Sequence, residues 1–306
     1  MKLIVLPDAG FAPILTAIKR AKASIRVTIF RSNLPELEKC LGDAVTRGVR
    51  VHALIAHTNR AGEKLLRDLE LRLLGKGVTV SRTADDLIRY HDKLLVVDDT
   101  LYVMAFNFTR VQVSRRRSLA VVTRKASLVS EATALFDADA ARQPYTPQHD
   151  DLVVSPLNAR ARLVELLGRA RRSLRVYDSK VLDRQMLRLL RERAAAGVDV
   201  RVIGAVGTAG RSLKVAPLAG LRLHLRAILA DEAELFIGSQ SLRPLELDRR
   251  REVGIIVGEK GVIRQFREIF EADWAATDIG REEIKEFEAD RALRAAAAAV
   301  TEPLAS

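Results

Sequence analysis

The chain is poor in cysteine, in aromatic residues and in long apolar runs. A single cysteine, Cys40, excludes an internal disulfide and fits a reducing compartment. Aromatic residues are only 5% of the chain, which leaves little to stack on nucleic-acid bases. No apolar run approaches the ~20 residues of a membrane-spanning helix. The apolar stretch ahead of Pro7 and Asp8 is too short for a secretory signal, so a cytoplasmic or membrane-peripheral location is expected. What the chain does have is positive charge, with 51 basic against 39 acidic residues and a formal net charge of +12. Such an excess favours anionic partners, nucleic acid or a phospholipid surface, although a genome biased towards Arg and Ala gives the same bulk charge. At 306 residues and 48% hydrophobic, the chain can bury one large core or two ordinary ones.

The sequence repeats itself. Pro7 and Pro156 each close a short apolar run, and each is followed by a helix-like segment ending in basic residues and then a strand (25–30 and 174–177). A second helix in each half ends in matching punctuation, Thr46-Arg-Gly48-Val and Ala195-Ala-Gly197-Val, where the glycine stops the helix and a β-branched run begins. Phe136-Asp-Ala-Asp139 matches Phe270-Glu-Ala-Asp273 in the closing helices. These alternations predict an α/β chain of two repeated half-domains, each a mixed sheet flanked by helices and related by a pseudo-twofold axis. The expected boundaries are 1–146 and 147–280, with the division near Pro144-Tyr-Thr-Pro147 and a C-terminal helical tail over 281–306.

One pattern occurs at the same place in both repeats. His91-Asp-Lys93-Leu-Leu-Val-Val-Asp98 reads His-x-Lys-x4-Asp, and His224-Leu-Arg226-Ala-Ile-Leu-Ala-Asp231 reads His-x-Arg-x4-Asp. Residues two apart share a face of a strand, so each histidine should lie beside its cation, with the aspartate at the turn that follows. If the halves pack about a twofold axis, the motifs meet at the seam and a phosphate there is held between two imidazoles. Phosphodiester chemistry needs that set: a nucleophile, a proton donor and positive charge for the phosphate oxygens.

With these motifs the sequence resembles the phospholipase D superfamily over about residues 1–280. The family pattern continues from His-x-Lys-x4-Asp to Gly-Ser-x-Asn and, about eleven residues on, an acidic residue. Gly238-Ser239-Gln240-Ser241 keeps the Gly-Ser and has Ser241 for Asn, and Glu252 supplies the acid. In the first half Met104-Ala105-Phe106-Asn107 keeps the Asn alone, and Ser118 stands where the acid is expected. The resemblance implies metal-independent catalysis without a cofactor: one histidine forms a phosphohistidine and the other moves the proton. It implies His91 and His224 as the catalytic pair, with Lys93, Asn107, Arg226 and Ser239 holding the phosphate and Asp98, Asp231 and Glu252 in support.

A carboxylate that orients an imidazole fixes its tautomer and improves the free nitrogen as a nucleophile. On sequence, Glu252 orients His224, while His91 lacks a carboxylate unless Asp92, Asp99 or another carboxylate substitutes. The family order points instead to His91 as nucleophile, so the assignment stays open. Arg115-Arg-Arg117 and Arg249-Arg-Arg251 precede Ser118 and Glu252, at the cavity rim or on a solvated loop, and Gly204 to Gly210 reads as a flexible loop near the cleft. The favoured substrate is a glycerophospholipid, cleaved or exchanged. The rivals are a nucleic-acid phosphodiesterase and a degenerate module that binds phosphate without turnover.

Overall fold

The computed structural model describes residues 1–58 and 63–300, with side chains through residue 292. The first half contains β1 (Lys2–Leu6), α1 (Ala12–Arg20), β2 (Ser24–Ile29), α2 (Pro35–Thr46), β3 (Arg50–Ile55), α3 (Lys64–Leu74) and β4 (Thr79–Arg82). It continues through β5 (Arg89–Tyr90), β6 (Leu94–Val97), β7 (Thr100–Met104), α4 (Arg110–Arg115), β8 (Arg116–Thr123) and α5 (Ala126–Ala141). The second half begins β9 (Leu152–Ser155), α6 (Ala159–Arg169), β10 (Ser173–Val181), α7 (Arg184–Ala195), β11 (Asp199–Val206) and β12 (Lys214–Ala216). It ends with β13 (Arg222–Leu223), β14 (Arg226–Ala230), β15 (Glu234–Gly238), α8 (Pro244–Asp248), β16 (Arg250–Val257), α9 (Lys260–Ala275) and α10 (Asp278–Val300).

Two mixed sheets of equivalent order result: β1-β8-β7-β6-β2-β3-β4 and β9-β16-β15-β14-β10-β11-β12. In each, the first five strands pair antiparallel and the last three run parallel, as the helical crossovers α2 and α7 require. The expected fold, two α/β half-domains with mixed sheets, is the observed one. Gly48 and Gly197 end α2 and α7 with φ of 84° and 86°, a backbone region that suits a residue without Cβ. The segment from Gly204 differs from the expected loop, because it continues β11 to Val206 and then closes in a single helical turn, Thr208–Gly210. The backbone there passes so near β10 that a Cβ on Gly204 would lie 1.7 Å from the Asp178 carbonyl oxygen.

Each sheet also takes a two-residue strand from the other half. β5 runs parallel to β16, with Arg89 opposite Arg250 and Tyr90 opposite Arg251. β13 runs parallel to β8, with Arg222 opposite Arg116 and Leu223 opposite Arg117. The residues just ahead of each motif histidine therefore belong to the opposite sheet.

β6 is buried along its whole length and β14 from Ala227 to Ala230, as near-continuous aliphatic runs must be. In β6, Leu95 and Val97 enter the core of the first half, while Leu94 and Val96 enter a central core between the sheets. The central core also holds Leu119, Val121, Leu229, Ile237, Val253 and Ile255, closed by side chains from α5 and α9. Asp98 and Asp231 sit at the hairpin turns with φ of 51° and 53°. Each carboxylate accepts backbone N–H groups, from Lys22, Ala23 and Ser24 at 2.8–2.9 Å and from Arg171, Arg172 and Ser173 at 2.7–3.0 Å. They thus tie the motif hairpin to the start of the neighbouring strand.

Two ion pairs cross the seam in mirror positions: Arg117 to Asp273 at 2.9 Å, and Arg251 to Asp139 at 3.0 Å. In the tail, Glu283 on α10 accepts from Trp274 Nε1 at 3.0 Å and from Lys214 at 2.8 Å, which holds the helix against the second half. Residues 301–306 of the expected tail lie outside the described residues. Among the described residues no helix is long and apolar enough to cross a membrane.

Candidate active site

The strand exchange carries each motif histidine across the seam. After β5, the His91 N–H donates to the Arg251 carbonyl at 2.8 Å, and after β13 the His224 N–H donates to the Arg117 carbonyl at 3.1 Å. Both imidazoles consequently line one cavity of about 350 Å³, which draws its walls from both halves.

Nδ1 of His91 lies 2.9 Å from both carboxylate oxygens of Glu252. Glu252 is fully buried. Such contact assigns the ring proton to Nδ1 and leaves the Nε2 lone pair free. The ring packs edge-on against Phe30 with centroids 4.4 Å apart. Burial holds the His91 imidazole well below its usual range, and Lys93, Arg226, Arg250 and Arg89 push it the same way, so the resting ring is neutral. Burial raises the Glu252 carboxyl, opposed by the Lys93 ammonium, the Ser239 hydroxyl, Arg226 and Arg250.

The other histidine is held differently. Nδ1 of His224 is buried without a hydrogen-bond partner among the described residues. Ser118, at the position equivalent to Glu252, is buried, and its hydroxyl lies 3.5 Å from the His224 carbonyl oxygen, not near the ring. Burial, then Arg226, Lys93, Arg116 and His91, push the His224 imidazole well below its usual range.

Here the sequence reading is corrected: Glu252 serves His91, not His224. This position of each repeat, Glu252 in one and Ser118 in the other, faces the partner repeat's histidine because β5 pairs with β16 and β13 with β8. The other anticipated residues divide. Asn107 lines the cavity with its Oδ1 unpartnered, and Arg226 lines it while donating to the His224 carbonyl at 3.0 Å. Lys93 lies behind the wall, 2% exposed, donating to the His91 carbonyl, and burial lowers its ammonium to about 7. Ser239, expected at the phosphate, is buried beyond Glu252, where its hydroxyl accepts from the Val253 N–H at 3.1 Å. Ser241 turns away to donate to Asp178 at 2.5 Å.

Residues 14–140 match the family model described as cardiolipin synthase, PLD-like domain. That stretch of the chain is a PLD-like domain. A polyphosphate kinase of Prosthecochloris aestuarii is 25% identical over 284 residues, covering 81% of this chain and 39% of that protein. Among solved structures, polyphosphate kinase from Porphyromonas gingivalis superposes with a TM-score of 0.75 at 17% identity, over 88% of this chain and 46% of that one. Phosphatidylserine synthase of Haemophilus influenzae Rd KW20 superposes with a TM-score of 0.68 at 12% identity, over 95% and 93% of the two chains. Those two likenesses are of fold. The chain spans about two fifths of the length of the curated relative it matches.

The cavity is strongly cationic. Arg31, Arg89, Arg116, Arg222, Arg226, Arg243 and Arg250 line it; among the described residues Glu246 is the sole acidic side chain in the lining, and Phe30 and Leu223 are the apolar ones. Of the two arginine triplets only the middle members, Arg116 and Arg250, reach the cavity, while Arg117 and Arg251 turn into the seam pairs. Arg89 and Arg222 were missed in the sequence, although each stands two residues before a motif histidine, a match that the repeat register displays. Glu246, on α8, had no local signal.

Proposed function

We propose that this chain is a phosphotransfer enzyme of phospholipase D type, with His91 as nucleophile and His224 as the proton carrier. The observation that carries the assignment is the Glu252–His91 contact, because it orients one imidazole and leaves the other without a carboxylate. In the first step the Nε2 lone pair of His91 forms a bond to phosphorus, and the bond to the leaving oxygen breaks. That oxygen takes a proton from His224 as the electron pair departs. In the second step an acceptor hydroxyl or water gives its proton to His224 and attacks phosphorus, and the P–N bond pair returns to His91. Arg226 and the Asn107 amide border the place where charge builds on the phosphate oxygens. An incoming phosphate anion also raises the affinity of His224 for its proton, so substrate binding itself readies the acid.

For the substrate, a glycerophospholipid rests on the two-repeat arrangement, and the similarity in fold to phosphatidylserine synthase supports it. The cavity supports a compact polyanion better. Seven guanidinium groups and two apolar side chains favour phosphate groups over the flank of a lipid. Little aromatic lining is present to hold bases, which weighs against a nuclease. A binding module without turnover would have no use for an oriented, neutral imidazole.

The test is an alkaline quench after mixing with bis(4-nitrophenyl) phosphate or with pyrophosphate, followed by peptide mass spectrometry. A phosphoramidate on the His91 peptide is expected. It is absent from His91→Ala and still formed in His224→Ala with the nitrophenyl donor, whose leaving group needs no proton. An adduct confined to His224, or none with either donor, overturns the assignment.

A further inference from the structure

The two walls of the cavity differ in charge. On the His91 wall, Arg250 lies 2.9 Å from Glu246 and 3.9 Å from Glu252. On the His224 wall the equivalent of Arg250 is Arg116, and the repeat register replaces both acids: Gln112 stands for Glu246 and Ser118 for Glu252. Gln112 is buried on α4 with both of its polar side-chain atoms unpartnered. Among the described residues no carboxylate pairs with Arg116, whose Nε is buried and unpartnered. The strand pairing sets Arg222 directly opposite it, and Arg31 shares the same cavity. Burial and these like charges, Arg222 first, depress the Arg116 guanidinium. Three cations gathered on one wall repel one another until an anion joins them.

We propose that Arg31, Arg116 and Arg222 form a second anion subsite beside His224, which binds a phosphate linked directly to the one that His91 attacks. The preferred substrate is then a condensed phosphate chain of two or more units, not an isolated phosphodiester. This inference rests on the proposed reaction only for which phosphate is attacked; the subsite itself stands on the charge asymmetry. A nucleic-acid backbone could also bridge two subsites, but it would bring bases for which the lining holds one aromatic ring, Phe30.

Calorimetric titrations of the full chain with orthophosphate, pyrophosphate and tripolyphosphate at fixed ionic strength test it. Tripolyphosphate is expected to bind at least about tenfold more tightly than orthophosphate, since linked groups engage two subsites at once. Arg116→Gln and Arg222→Gln should each remove most of that advantage, and Arg116→Lys should restore part of it. Equal affinity for the three anions in the wild type overturns the subsite, a result that needs no variant to fold. So does binding of a dioctanoyl phosphatidylglycerol or a ten-residue oligothymidylate as tight as that of tripolyphosphate. If the anions bind in the expected order but no adduct forms on His91, the subsite stands and the catalytic assignment fails. An adduct on His91 without that order removes the subsite and leaves the catalytic assignment in place.

Discussion

Glu252 places both of its carboxylate oxygens 2.9 Å from Nδ1 of His91, a residue 161 positions earlier and in the other repeat. The contact crosses the pseudo-twofold seam, and its mirror position, Ser118 beside His224, holds no acid. One pair of residues therefore turns a nearly symmetric duplication into a site with distinguishable histidines.

Replacing Glu252 by Gln keeps the shape and loses the charge. The amide can turn its NH2 donor towards Nδ1, which favours the wrong tautomer of His91, and turnover should fall by about 10²- to 10⁴-fold. Steady-state rates, with circular dichroism as the check on folding, measure this. A loss below about tenfold would remove Glu252 from the mechanism.

Stability should decline on mild acidification, and His224 should be one cause. Its folded form resists protonation, whereas in the unfolded chain it titrates near 6.5. Between those values the unfolded state binds more protons, so the contribution is fully present above about pH 6.5 and is lost as pH falls below it. The slope reaches about 1.4 kcal/mol per pH unit for one such group. Thermal midpoints at pH 7.5 and 5.5 should diverge less in His224→Asn than in the wild type.

The seam pairs should differ in strength. Side-chain exposure is 8% and 3% for Arg251 and Asp139, against 14% and 11% for Arg117 and Asp273. Arg251→Leu leaves a buried carboxyl without its partner and should cost about 3–5 kcal/mol in urea unfolding. Burial lifts the Asp139 carboxyl to about 7, against the pull of Arg251, so at neutral pH Asp139→Asn replaces a group already half-protonated and should cost less. Equal costs for the two substitutions would contradict the buried-pair account.

The turn aspartates are structural rather than chemical. Burial pushes Asp98 up, but the N–H groups of Ser24, Lys22 and Ala23 outweigh this and hold it below the usual range. Its contribution is present above an unfolded value of about 3.9 and disappears as pH falls through the lower folded value. Asp98→Ala should cost about 1–3 kcal/mol at pH 7 while leaving orthophosphate affinity unchanged. A lost affinity with intact stability would place Asp98 at the site instead.

The sequence alone determined the duplication, the α/β class, the equivalent motif positions and the aspartates at the hairpin turns. These are readable because they rest on local pattern: a glycine after a helix, alternation along a strand, a spacing that recurs. It also held Arg89 and Arg222 in plain register, two residues before each histidine. Only the tertiary structure decided which histidine gains a carboxylate, that Lys93 and Ser239 sit behind the wall and not in it, and that Glu246 joins the lining. The physical reason is the exchange of β5 and β13 between the sheets. No local pattern reports which of two similar edges a two-residue strand will join, and that choice settles which side chains face one another across the seam.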